Sequence, residues 1–481
     1  MEETGTDMRT LRLLFKHEAI ALAPNALNSD SSAATVILKI LCQSLVRIDH
    51  DGVIRPELAL RWDVSPCRRR YTFWLDPRAS FHSGRACTAR DVARVFRHIL
   101  DGRSDSILHQ DYEGLAEVRV LGEHHLEFVF DVPNDAFLHN LAWRTHIVDD
   151  TAAQPCGTGP FKLEEWRRGS HISMLRHVDG RGRGAGNADA LRIEYAPDSD
   201  ARIAAIERGE ADIVESVPGF AAAGLEAAGL LRTMVAPSQA RVLLCFDCSR
   251  PPFDDVRVRQ AVACAVDRDA LIREVMGGQA RAGEGLLPHD DPWAHPVEPI
   301  VHDPARARAL LQAAGHGDSI EIVVAHPTTA PLPAVEARIA RDLAEVGVRL
   351  SSTAYDDPPW WPYMYTHGNW QMAIQGTASR PHFDTMLRRE FCSDGAFNAG
   401  RYVNPRVDEL ARRARHGTDD GERRALYAEI QRILREDLPV VALFASNVVV
   451  GWRPGVAGMA AHPHGVVDVG GVRLPDEGEP R

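Results

Sequence analysis

Lysine is almost missing from this chain. Only Lys16, Lys39 and Lys162 occur in 481 residues, so arginine supplies nearly all of the 55 Lys+Arg side chains. That bias reads as genome composition. The net charge is −12 and no basic run interrupts it, which excludes a nucleic-acid partner. No run of about 18 apolar residues is present, so no transmembrane helix is expected. The opening MEETGTDMRTLRLLFKHEA is acidic first, without a basic region ahead of a long apolar core, and does not read as a signal peptide. The eight cysteines are scattered singly except Cys245 and Cys248, a usage that leans toward a reducing compartment. No fixed-period repeat is visible, and the only biased tract is the glycine-rich loop at 178–189.

What is present is ordinary globular text, 44% hydrophobic and 25% charged, long enough for two to four domain-sized units. Strands are expected at 9–15, 71–75, 117–121, 126–130, 162–166, 171–175 and 191–195, with helices at 31–45, 89–100, 137–144 and 199–208. Thr88 with Asp91 three residues on starts the second helix as a capping box. From 240 the pattern restarts. Helices are expected at 304–314, 333–346, 405–414 and 420–436, strands at 319–325 and 348–354, and final strands from VVALFASNVVVG at 440–451. Strands alternating with helices of this length indicate an α/β fold with mixed sheets.

The stretch Phe246–Gly278 is the most informative. It breaks at Pro251-Pro252, and Asp254 or Asp255 caps a helix whose apolar face is Val258, Ala261, Val262 and Ala265. Asp267-Arg268 interrupts that helix, Asp269 is expected to cap a second, and Gly277-Gly278 closes it. Two capped helices with a fixed break read as scaffold.

These residues also carry a resemblance. Leu45-Val46, Asp51-Gly52 and Pro56-Glu57-Leu58-Ala59 come first, then Phe81-His82-Ser83-Gly84 with Thr88-Ala89-Arg90-Asp91-Val92. Gly157-Thr158-Gly159-Pro160-Phe161 and Gly209-Glu210-Ala211-Asp212 follow, and Pro252–Ala261 with Asp267-Arg268 completes the series. Six motifs in order over residues 9–456 resemble the family 5 extracellular solute-binding proteins, the oligopeptide, dipeptide and nickel receptors of ABC importers. The resemblance implies a two-lobed periplasmic-binding-protein type II fold of the large, three-subdomain class. Lobe I would comprise 1–239 with 447–481 returning to it, and lobe II 240–446. The implied function is capture of a small peptide-like, opine-like or metal-chelate solute by hinge closure, with an ABC permease as partner and no catalysis, by a monomer. A cytosolic enzyme or ligand sensor on the same fold is the alternative. The implied location is periplasmic or cell-surface, or cytoplasmic if residues 1–481 are the whole product.

No enzyme motif, phosphate loop, cofactor site or metal site is expected. Cys245-x-x-Cys248 lies in a strand-like run and reads as buried thiols, while His124-His125 and His462-x-His464 read as solvated turns. Gly157-x-Gly159 lacks a downstream Gly-Lys-Ser/Thr. The candidate ligand contacts come from the resemblance. Arg144, after a cleft-lining helix, would clamp a carboxylate, which a guanidinium fork matches bidentately. Ser379 stands where peptide-binding members carry an acid for the ligand's amino group, and Asp394 falls nearest the metal-touching histidine of nickel-binding members. Arg380 and His382 make that edge basic and point to an anionic solute, with Asp384 beside them. Trp360 and Trp361 offer stacking surfaces, and Asn28 a polar contact from the N-terminal loop.

Overall fold

The computed structural model describes residues 8–19, 21–25, 32–101, 106, 108–152, 154–177, 186–217, 219–236, 241–278, 280–283, 285–287, 291–317, 319–356, 360–365, 368–377, 380, 382–446, 448–460 and 468–475. Two compact units result, Met1–Pro237 with Val448–Arg481, and Ser238–Asn447. No described helix is long and apolar enough to cross a membrane.

Unit 1 begins with β1 (Thr10–Phe15), α1 (Ser32–Leu41), β2 (Val46–Ile48), β3 (Ile54–Pro56), β4 (Ala59–Val64) and β5 (Arg70–Leu75). It continues with α2 (Ala89–Leu100), β6 (Leu115–Gly122), β7 (His125–Phe130), α3 (Phe137–Arg144), β8 (Phe161–Arg167) and β9 (His171–Arg176). Then come β10 (Ala190–Tyr195), α4 (Ser199–Glu207), β11 (Ile213–Val214), α5 (Gly219–Ala227) and β12 (Arg232–Ala236). Unit 2 holds β13 (Arg241–Phe246), α6 (Val256–Ala265), α7 (Arg268–Val275), β14 (Ala280–Ala282), α8 (Pro304–Ala313), β15 (Ile320–Pro327) and α9 (Leu332–Glu345). It closes with β16 (Val348–Tyr355), α10 (Trp360–Tyr365), β17 (Met372–Thr377), α11 (Phe383–Glu390), α12 (Pro405–His416), α13 (Asp420–Asp437) and β18 (Val440–Ser446), after which β19 (Val448–Trp452) returns to unit 1.

Unit 1 has three sheets, a short β2-β3 pair and two larger ones that each have their own core. The larger runs β12-β19-β11-β1-β10-β9-β8, with β1 parallel to both β10 and β11, and packs beneath α1. The smaller is the antiparallel sheet β4-β5-β7-β6, closed by α2 and α3 over an aromatic nest. Phe137 of α3 meets Tyr71, Phe128 and Phe130 at ring-centroid distances of 4.7, 5.0 and 4.9 Å. Those edge contacts bury large apolar area and fix the start of α3, and so its end at Arg144. Unit 2 carries the sheet β14-β18-β13-β17-β15-β16. One face, with Val242, Leu244 and Phe246, packs on α6, α7, α8 and α9, while α11, α12 and α13 form a separate core.

The recurring motifs resolve into frame contacts. Gly157 and Gly159 lie against the last turn of α1, where a Cβ on either would overlap the carbonyl oxygen of Leu41 or Ile40. His82 joins the two glycine-bearing motifs: its Nδ1 accepts from the Gly157 N–H at 3.3 Å, which leaves Nε2 to donate to the Gly159 carbonyl at 3.1 Å. Asp212 accepts from the Arg12 N–H at 2.8 Å and pairs with Arg12 and Arg453, joining β1, β11 and β19. Asp255 caps α6. The cap of α7 is Asp267 and not Asp269, because the helix starts two residues earlier, at Arg268, and Asp267 Oδ1 accepts from the Ala270 N–H at 2.9 Å. The Thr88 N–H and hydroxyl both donate to Asp91 at 2.9 Å, giving the expected start of α2. The run 440–451 yields two strands in different units, β18 beside β13 and β19 beside β12.

Candidate functional site

In unit 1 the candidate side chain is Arg144, the half-buried last residue of α3. The backbone after it is held from several directions. Asn25 brackets His146, accepting from its N–H at 3.0 Å and donating to its carbonyl at 3.1 Å. The Ile147 N–H donates to the Gln43 carbonyl at 2.9 Å, and the Ser44 hydroxyl donates to the Thr145 carbonyl. Lys39 donates to the Ala142 carbonyl at 3.2 Å and sits 4.8 Å above the Trp143 ring. Two cations therefore occupy one fixed corner. Their effect is visible at buried His146, whose pKa is pushed down to about 3, first by burial and then by Lys39 and Arg144. The neutral imidazole adds no charge there at pH 7. Asn28 lies outside the described residues.

In unit 2 the segment after β17 collects the other expected residues. Arg380 donates from Nε to Glu390 at 3.0 Å and lies 5.5 Å from the Phe397 ring centre. His382 is buried and caps α11, its Nδ1 accepting from the Asp384 N–H at 3.1 Å. Burial pushes its pKa down to about 4 despite the Asp384 carboxylate. The basic edge expected from Arg380 and His382 together thus rests on Arg380, since His382 is neutral at pH 7. Asp384 accepts two bonds from Arg415, at 3.0 and 2.7 Å, with both side chains 7% exposed, so its charge is matched inside the unit. Asp394 pairs with Arg388 through two contacts. Trp360 is 2% exposed and belongs to the small core of Leu243, Cys245, Met364, Trp370 and Ala373. Trp361 shares α10, but its side chain and all of Ser379 lie outside the described residues.

The sequence reading missed Arg241. It heads β13, a strand whose six residues are all buried, on the face shared with Gln375 and Thr377 of β17. Its Nη2 donates only to the Met386 sulfur at 3.0 Å, while Nε and Nη1 are buried without a partner among the described residues. Burial lowers its pKa, with Glu390 opposing and Arg380 adding to the shift. Its signal in the sequence was a lone arginine opening the otherwise apolar RVLLCF.

Chemistry-bearing groups elsewhere are muted. The described cysteines are free thiols, and burial pushes Cys245, Cys87 and Cys392 up to about 12, far from a reactive thiolate. Among the described residues no group of three His, Cys, Asp or Glu is placed to hold a metal ion. A cavity of about 30 Å³ lined by Leu286, Val297, Leu434, Leu438 and Val441 is of water size, too small for a solute.

Comparison with known proteins agrees with this geometry. Residues 53–398 match the family described as bacterial extracellular solute-binding proteins, family 5 middle. The glutathione-binding protein GsiB of Pectobacterium atrosepticum is 25% identical over 443 residues, covering 88% of this chain and 86% of its own. The dipeptide-binding protein of Pseudoalteromonas sp. SM9913, solved with Met-Leu, superposes with a TM-score of 0.88 at 21% identity over 97% of this chain and 100% of that one. AgaA of A. tumefaciens R10, solved with agropinic acid, gives 0.85 at 24% identity over 94% and 95%. These likenesses carry the type II periplasmic-binding-protein fold across nearly the whole chain.

Proposed function

Because the chain belongs to the bacterial extracellular solute-binding proteins of family 5, we propose that it captures a small carboxylate-bearing solute. The solute class is peptide-like, opine-like or a metal chelate, held reversibly and released unchanged to an ABC permease at the periplasmic or cell-surface side. Capture proceeds by closure about the two chain crossings, so that ligand shifts an existing equilibrium. The observation that carries this reading is the corner of unit 1 where Lys39 and Arg144 stand together on backbone fixed from three sides. A preplaced guanidinium loses little freedom on binding, and it recognises a carboxylate through paired charge-assisted hydrogen bonds. Glutathione, Met-Leu and agropinic acid, the ligands named for the relatives, all bear carboxylates, which supports the same class.

Calorimetry with those three compounds tests the proposal. At least one is expected to bind, and Arg144→Ala is expected to weaken it by about 2 kcal/mol, as for a hydrogen bond to a charged group. Unchanged affinity in that variant removes Arg144 from the site. Chemical conversion of the bound compound overturns the receptor reading in favour of an enzyme.

A further inference from the structure

One face of the unit 2 sheet carries guanidinium nitrogens and an amide oxygen that are buried without partners among the described residues. Arg241 is 7% exposed, with two guanidinium nitrogens buried and unpartnered among the described residues. Arg380, three residues beyond the β17 residue that pairs with Arg241, leaves Nη1 buried in the same condition. Among the described residues the acid that bonds Arg380 is Glu390, and it is also the largest favourable charge felt at Arg241, with Asp291 weaker. Two guanidinium groups thus share one nearby carboxylate. Arginine cannot relieve this by losing its proton, and an unpaired N–H in the interior is costly. Beside them Gln375, 5% exposed, donates to the Cys245 sulfur at 3.0 Å while its Oε1 accepts nothing among the described residues. In the β13–β17 ladder Gln375 stands diagonal to Arg241 on one face.

We propose that Arg241, with Arg380, forms a carboxylate-binding subsite in unit 2, and that Gln375 Oε1 receives an N–H donor from the same solute. An acid group with an N–H close by is the signature of acylated amino acids, peptide C-termini and amino-acid-derived acids. The inference rests on the receptor reading and adds to it: beside the acid contact proposed at Arg144, unit 2 supplies one of its own. Arg241, absent from the sequence-derived contacts, is a specificity-determining residue of this subsite.

The full chain is tested in two arms. In the first, melting is followed in sodium glutarate against sodium chloride at equal ionic strength. Wild type is expected to melt about 2 °C or more higher in glutarate, whereas Arg241→Met shows no difference while melting higher than wild type in chloride, because an uncompensated buried charge is gone. Equal melting of wild type in the two salts, or an undiminished response in Arg241→Met, overturns the subsite. In the second arm, calorimetry compares Met-Leu with its C-terminal amide on wild type, Arg241→Lys and Arg241→Met. Amidation and Arg241→Met are each expected to weaken binding about tenfold or more without multiplying, with partial retention in Arg241→Lys. Losses that multiply overturn the assignment. If a neutral or cationic compound is held by wild type without response to glutarate, the subsite fails and the receptor reading stands; turnover of a bound compound removes the receptor reading itself.

Discussion

Asp384 is where frame and binding site can be told apart. Its carboxylate accepts two bonds from Arg415, at 3.0 and 2.7 Å, and both side chains are 7% exposed. Attraction within such a pair is largely offset by the desolvation of both ions, so the pair itself stabilises little. Removing one partner leaves the other charge buried and uncompensated, which costs about 3–5 kcal/mol. Asp384→Asn should therefore lower unfolding free energy by about 3 kcal/mol, toward the low end because an amide oxygen still accepts one bond. Replacing both partners, as in Asp384→Leu with Arg415→Met, should cost less than the single change. The assay is guanidinium chloride unfolding, fitted unit by unit if two transitions appear, alongside calorimetry of the folded variants. Solute affinity is expected to stay within about twofold of wild type. An Asp384→Asn protein of unchanged stability and tenfold weaker binding would refute the reasoning and make Asp384 a ligand contact.

Gly159→Ala pushes a methyl group into the Ile40 carbonyl and should cost about 3 kcal/mol or prevent folding, whereas Gly376→Ala, with open space at its Cβ, should stay within about 1 kcal/mol; thermal unfolding of the pair checks this. Acid sensitivity follows from the buried imidazoles. His82 and His382 titrate near 4 and His146 near 3, below the ordinary 6.5, so their contribution is complete above pH 6.5 and is lost as pH falls toward those values. Glu215 acts in the opposite sense: burial raises it from 4.5 to about 7, so its contribution is complete below pH 4.5 and lost as pH rises through 7. Three histidines outweigh one glutamate, and melting temperature should fall from pH 7 to pH 5. Glu215→Gln should steepen that fall, and a shallower one would contradict the assignment.

The frame was legible because local chemistry and global fold agree in it. Thr88 and Asp91 start α2, Asp255 caps α6, and Gly277 and Gly278 take up left-handed backbone after α7, all from residue types that allow few other conformations. The two-residue error at Asp267 reflects two acids, Asp267 and Asp269, that are both competent caps. The run 440–451 reads as continuous strand text, and nothing in its periodicity says that β18 and β19 join different sheets. The candidate site was harder to read because charge alone does not show whether a side chain is already paired. Asp384 and Arg380 look equally available in sequence, yet Asp384 has its charge matched by Arg415, while Arg380, bonded to Glu390 through Nε, keeps Nη1 buried without a partner among the described residues. Trp360 looked like a stacking platform because aromatic residues serve cores and binding surfaces alike, and only burial distinguishes the two. Arg241 was passed over since a single arginine at a strand end normally reaches solvent, a default that β13 breaks by being buried along its full length.

The central claim is that this protein holds a small acid and does nothing else to it. Native mass spectrometry of the full chain, purified without denaturation and then incubated with any solute it retains, tests this most directly. The account predicts a one-to-one complex with a carboxylate-bearing molecule whose mass is unchanged after incubation. A retained solute without an acid group, or a new mass appearing from it, would contradict the account.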